Sequence, residues 1–286
     1  MIYLALSVLI SSLLFVIFKL FDKYRINTFQ AIIVNYVVAF SCGFFFYGNG
    51  TTLVEITQKP WIGGAVILGF LFISIFMVMA TTAQRNGLST ASVASKMSVV
   101  IPVIFAVIVY QEKLSLLKIA GIILALLAVY LTTVKNDGST FDRKKLLFPI
   151  LLFLGSGIID TAIKHIETKY LAEGEVPIFS AAVFACAFFI GIVVAIIRHD
   201  VNINGKTILG GIVLGIPNFY SIIFLLKALR PENLGDSSTV FPINNVAIVM
   251  LSTIFGIILF KEKLIPKNWI GIIIAIISIL MIAVSA

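Results

Sequence analysis

Asp160 and Lys164 stand four residues apart, so on a helix they share one face. A carboxylate beside an amine can carry a proton: desolvation raises its pKa and a neighbouring ammonium lowers it. Lys96 is a third charge inside an apolar stretch, set among Ser92, Ser95 and Ser98, where it can receive an anionic group. Polar side chains also gather near prolines. Asn218, Tyr220 and Ser221 follow Pro217, and Asn244 and Asn245 follow Pro242. A helical proline lacks an N–H and frees the carbonyl four residues back, so Pro217 frees Val213 and Pro102 frees Ser98. Asn35-Tyr36 is a similar, isolated signal. His165 and His199 are far apart and no Cys-x-x-Cys occurs, so no metal is expected. Cys42 and Cys186 read as small buried hydrophobes. No nucleophile–base pair is visible, so neither an enzyme nor a cofactor is expected.

These residues need a scaffold, and composition limits its kind. The 286 residues are 60% apolar and 12% charged, with 24 Phe, 8 Tyr and 2 Trp. An ordinary soluble domain carries about 25% charged residues, and a disordered chain few aromatics. Both classes are excluded, which leaves an all-α polytopic membrane protein. The net charge of +8 then bears on topology and anionic lipid, and no nucleic-acid partner is expected.

Ten charge-free runs mark ten spans, with helices expected over 2–21, 29–48, 61–83, 89–110, 116–134, 147–169, 177–198, 207–229, 238–260 and 267–285. A span needs roughly 20 apolar residues. Three runs (97–111, 119–134 and 146–159) reach that length only by taking in a charge. Lys118 can snorkel from its helix end, and Lys19 reads the same way. Gly211 and Gly215 form a Gly-x-x-x-Gly expected to serve close helix packing.

The chain repeats itself. Tyr110–Val134 and Phe260–Val284, offset by 150, share eight identities, including Glu112/Glu262, Lys113/Lys263, Leu114/Leu264 and Gly121/Gly271. Gly63-Gly64 matches Gly210-Gly211, and Ser11-Ser12 matches Ser156-Gly157, in the same order. The expected domains are a first five-helix repeat over 1–134, a polar connection over 135–145 and a second repeat over 146–286. Five is odd, so the second copy enters the membrane inverted, and inverted repeats are the mark of alternating-access transporters. Glu112-Lys113 and Glu262-Lys263 read as charges at helix ends that fix connections, not as substrate ligands.

The run Pro102…Glu112-Lys113-Leu114…Gly121, repeated as Glu262-Lys263-Leu264…Gly271, resembles the EamA-type branch of the drug/metabolite transporter superfamily. The second copy departs: Ser252 stands in the place of Pro102, and its proline comes earlier, at Pro242. The resemblance implies a secondary transporter of a small polar metabolite, working as an exporter. Lys96 and Lys164 motivate an alternative, uptake or exchange of an anionic solute such as an organic phosphate or nucleotide sugar. A lipid flippase is the further alternative.

A charge near the bilayer centre costs at least about 2.5–3.5 kcal/mol, so intramembrane polar groups should face inward and together. A central cavity is therefore expected to be lined by Lys96, Asp160, Lys164, Asn218, Tyr220, Asn244 and Asn245, with Asp160 as the proton-coupling group. The expected protein is a monomer in the plasma (inner) membrane of a prokaryote. Loops after odd-numbered helices hold thirteen Lys and Arg against seven after even-numbered ones. The positive-inside rule places the odd loops in the cytoplasm and both termini outside, whereas the resemblance implies both termini inside. Either way the termini share a side.

Overall fold

A computed structural model describes residues 2–47, 53–110, 115–133, 143–172, 174–199, 204–228 and 237–284. Its elements run α1 (Ile2–Lys23), α2 (Thr28–Tyr47), α3 (Leu53–Thr57), α4 (Ile62–Arg85), α5 (Leu88–Met97), α6 (Val100–Tyr110), α7 (Leu116–Thr133), α8 (Arg143–Tyr170), α9 (Val176–Ile197), α10 (Gly205–Ala228), α11 (Ser237–Phe260) and α12 (Pro266–Val284). All are helices, and ten helical stretches are long and apolar enough to cross a membrane. Hydrocarbon offers no hydrogen bond to a peptide group, so an apolar run of this length must satisfy its backbone internally. Glu112-Lys113-Leu114 and most of the polar link 135–145 lie outside the described residues.

Left-handed backbone ends several helices. Arg25, His199 and Lys261 take φ values of 54°, 52° and 53° just past α1, α9 and α11. Beyond Arg25 the amide of Ile26 returns to the carbonyl of Phe21 at 2.8 Å, which closes the end of α1. Gly87, at φ 106°, turns the chain between α4 and α5.

One difference from the sequence reading concerns proline. The fourth span, expected as one helix over 89–110, is two helices separated at Ser98–Val99. Pro102 denies Ser98 its usual donor, and the Ser98 carbonyl takes the amide of Ile101 instead, at 2.9 Å. Pro217 frees a carbonyl in the same way, yet α10 continues through it, as α11 does through Pro242. The residues around those two prolines keep helical backbone on both sides.

The chain forms two compact units. The first comprises residues 1–19, 78–158 and 220–286, and the second 20–77 and 159–219. Each draws on both sequence repeats, so the compact units and the repeats divide the chain differently.

In the first unit α7 packs along α12, and α5 packs on α7 and α11. Gly121 lies against Ile282, and Gly271 against Leu131 and Thr132. The two helices therefore run antiparallel, with the two repeat-related glycines in exchanged positions. Ser278 ties the pair by donating to the Gly121 carbonyl at 2.8 Å. A Cβ on Gly271 would stand 2.9 Å from both Leu131 Cβ and the Thr132 amide nitrogen. Gly271→Leu should therefore cost about 1–3 kcal/mol through overpacking. Gly63, with nothing within 4 Å, should accept Ala freely. Melting temperatures of the two purified variants check this contrast.

In the second unit α2 packs along α9. Gly43 meets Ala181, Tyr36 stacks on Phe184 at 5.9 Å and Gly191 meets Ile33, so this pair is antiparallel too. Gly211 and Gly215 bring α10 onto α2, where Cβ atoms would stand 2.8 Å from the carbonyls of Ala31 and Asn35. This is the close packing expected of the Gly-x-x-x-Gly pair.

A buried cluster including Trp61, Leu68, Ile178 and Phe179 fills one end of the second unit. Above it, Glu175 accepts from Lys59 Nζ at 2.7 Å, Trp61 Nε1 at 3.1 Å and the Ala172 amide at 3.2 Å. The Lys59 hydrogen bond holds the Glu175 carboxyl below its ordinary value near 4.5. A depressed carboxylate pKa stabilises the fold above that ordinary value, and the gain is lost as pH falls through the folded value. Glu175→Gln should lower stability at pH 7 by on the order of 1 kcal/mol after solvent screening. The difference from the parent should shrink below pH 4, as melting curves at the two pH values would show.

Candidate functional site: a broken span beside Lys96

The interruption at Ser98–Val99 falls inside the candidate membrane span Leu88–Val109. Lys96 occupies the last turn of α5, immediately before it. Its sequence neighbours Ser92, Ser95, Met97 and Ser98 are buried, while Lys96 itself is half-buried. Two of these serines bond locally: Ser92 Oγ donates to the Ser89 carbonyl at 3.1 Å and Ser98 Oγ to the Ser95 carbonyl at 2.5 Å. An ammonium in the last turn meets the negative end of the half-helix dipole.

The helix packed on α5 carries a second unusual group. Asn244 of α11 is 3% exposed, and its Oδ1 has no hydrogen-bond partner among the described residues. An unsatisfied buried acceptor costs about 1–3 kcal/mol, so the site favours a donor brought from outside the protein. Asn245 beside it is half-buried, as is Tyr220 of α10, whose ring lies 5.9 Å from that of Phe224. The equivalent of Pro102 in the second repeat, Ser252, bonds back to the carbonyls of Ile248 and Val249 at 2.6 and 3.1 Å. Unlike proline, Ser252 keeps its backbone N–H, and α11 stays whole where α5 and α6 part.

The sequence-predicted residues divide between the two compact units. Lys96, Tyr220, Asn244 and Asn245 belong to the first, and Asp160, Lys164 and Asn218 to the second. Asp160 and Lys164 are exposed on α8. Asn218 is buried, and its amide donates to Asn35 Oδ1 at 3.1 Å. That bond joins α10 to α2 where Gly215 lets them touch. It is an interhelical tie, and it also gives the isolated Asn35 signal its partner.

Other polar contacts were not legible as a group in the sequence. A cavity of about 120 Å³ in the first unit is lined by Lys19, Asn86, Thr90, Glu262, Lys263 and Asn268, among others. Lys19 was expected to snorkel, but its Nζ donates to the Gln84 carbonyl at 2.5 Å, an acceptor close enough to hold it. Lys118, also expected to snorkel, is 7% exposed on the helix that packs along α12. Asn268 donates to the carbonyls of Leu131 and Thr132 at 3.0 and 3.1 Å, and Thr90 donates to that of Thr132 at 2.9 Å. These bonds satisfy carbonyls that the end of α7 leaves free. Among the described residues, no cluster of three or more His, Cys, Asp or Glu could hold a metal ion.

The described spans, the duplication and the broken helix can be set beside known proteins. Over 279 residues, 96% of this chain and 94% of the relative, the sequence is 30% identical to an uncharacterized protein of Haemophilus influenzae. A solved crystal structure aligns with a TM-score of 0.57 over 98% of this chain and 99% of its own, at 14% identity, a likeness of fold alone. The model of the EamA-like transporter family matches residues 1–134 and again 144–284. With both halves matched, this multi-pass membrane protein belongs to the EamA-like transporter family.

Proposed function

We propose that the protein is a secondary transporter that exports a small polar metabolite by alternating access, with Lys96 as a substrate-binding residue. The break of the fourth span beside Lys96 carries this reading. A discontinuous helix at membrane depth is tolerated where irregular backbone lines a cavity, and such helices hold substrate in many secondary transporters. The antiparallel pairing of α7 with α12 and of α2 with α9 supports it, since each joins corresponding helices of the two repeats. Corresponding helices pair in that sense when the second repeat is inverted. The buried Asn244 acceptor adds a site for a donor group on the solute.

Lys96 favours a second reading for the solute itself. A cationic side chain inside a span suits a solute that bears a carboxylate or phosphate. An anion taken up or exchanged is then the alternative to export of a neutral or zwitterionic metabolite. We place the protein in the plasma membrane of a prokaryote, in keeping with its bacterial relative.

A thermal-shift screen of the purified protein against metabolite pools tests the reading, because a ligand that binds the folded state raises its stability. A solute at 100 times its Kd should add about 2.7 kcal/mol. The same solute should then show counterflow in proteoliposomes. Stabilisation without counterflow for every hit would argue for a binding partner instead of a carrier.

A further inference from the structure

The side chain of Glu262 leaves the turn between α11 and α12 and ends at the first residues of α5. Its Oε1 accepts from the Leu88 amide at 2.7 Å, and its Oε2 lies 3.4 Å from the Ser89 hydroxyl, which donates. The residue before α5 is Gly87, and no side chain of its own caps the helix. Glu262 fills that role from 174 residues away in the chain.

The surroundings leave the carboxylate little freedom. A Cβ on Gly87 would stand 2.9 Å from both carboxylate oxygens, and one on Gly256 2.5 Å from Oε2. The Glu262 amide donates to the Gly256 carbonyl at 3.0 Å across Lys261, whose φ is 53°. Asn268 fixes the far side of the turn, accepting from the Ile265 amide at 3.1 Å while its own amide holds the end of α7. Two glycines and a left-handed residue thus bring one carboxylate onto one helix start.

We propose that Glu262 is a positioning residue for Lys96, acting through α5. This rests on the reading of Lys96 as a substrate-binding residue. The half-helix has ten residues, so its ends are about 15 Å apart. A carboxylate at its N-terminus and an ammonium in its last turn both suit the helix dipole. Because α5 is broken from α6, the turn between α11 and α12 sets its orientation without help from a continuous span. The Glu-Lys-Leu of the second repeat therefore ties two spans of opposite repeats, the fourth and the ninth, through one hydrogen-bonded carboxylate.

The test uses the full-length protein in nanodiscs, with Cys42→Ala and Cys186→Ala as the background. Hydrogen exchange is followed over residues 88–97, with α2 and α9 as reference helices. A second readout is the alkylation rate of Lys96→Cys by a maleimide, with Glu262 intact or replaced. Glu262→Ala should speed exchange at 88–91 roughly tenfold, the size expected for a lost N-cap. It should also change the alkylation rate at position 96 at least about fivefold, with α2 and α9 unchanged. Glu262→Gln keeps an acceptor and loses the charge, so it should fall between the two.

Unchanged exchange at 88–91 would overturn the proposal, and so would equal acceleration in α2 and α9, which is general destabilisation. Faster exchange at 88–91 with unaltered alkylation at position 96 would leave a helix cap and refute the positioning. If Glu262→Ala behaves as expected but Lys96→Gln transports normally, the tether stands and the substrate role of Lys96 falls.

Discussion

Replacing Lys96 with Gln is expected to reduce transport to background while the melting temperature stays within a few degrees of the parent. Lys96 is half-buried in a helical turn that ends inside the membrane span. Gln matches much of its length and can still donate hydrogen bonds, so packing on α5 should survive. What disappears is a positive charge beside the helix break. If that charge meets the solute, the loss equals a charge-assisted hydrogen bond in a site of low dielectric, about 1.5–3 kcal/mol or roughly 10- to 150-fold in apparent affinity. Transport by Lys96→Arg separates charge from shape, since a guanidinium keeps the charge in a planar fork. Counterflow in proteoliposomes reads both variants. Normal transport by Lys96→Gln would return Lys96 to the role of a helix-end charge.

Asp160→Asn is expected to remove the pH dependence of net transport, or to block net transport while sparing exchange. Asp160 is exposed on α8, within the candidate span Leu146–Tyr170. An ionised carboxylate against hydrocarbon would cost several kcal/mol, so an acid within a span is a candidate functional group. Asn matches the shape of Asp160 but can neither take up nor release a proton, so pH dependence carried by this group is lost in the variant. Transport rates measured between pH 5.5 and 8, with the variant beside the parent, check the expectation. Unaltered pH dependence in Asp160→Asn would make Asp160 a structural partner on its own helix.

The sequence by itself determined the ten spans, because hydropathy adds along a helix and a 30 Å apolar slab reads only that sum. It also exposed the duplication, since Glu-Lys-Leu followed by Gly-Ile-Ile recurs at a fixed offset of 150. Close packing at Gly211 and Gly215 was legible for a similar reason: two glycines a helical turn apart leave few other uses. The part that Glu262 plays was legible only as a connection; its partner, the Leu88 amide, is too distant in sequence to leave a local pattern. Tertiary structure also decided how the three proline sites differ. Pro102 breaks its span, whereas Pro217 and Pro242 sit inside continuous helices, and local sequence records the missing N–H but not whether neighbours hold the two sides in line. It decided that Asn218 bonds to Asn35, that Lys19 is held by the Gln84 carbonyl and that Asn244 keeps an oxygen with no partner among the described residues. Each depends on which helix lies alongside, and in lipid that choice rests on packing and scarce hydrogen bonds, neither of which is written in the apolar pattern of a single span.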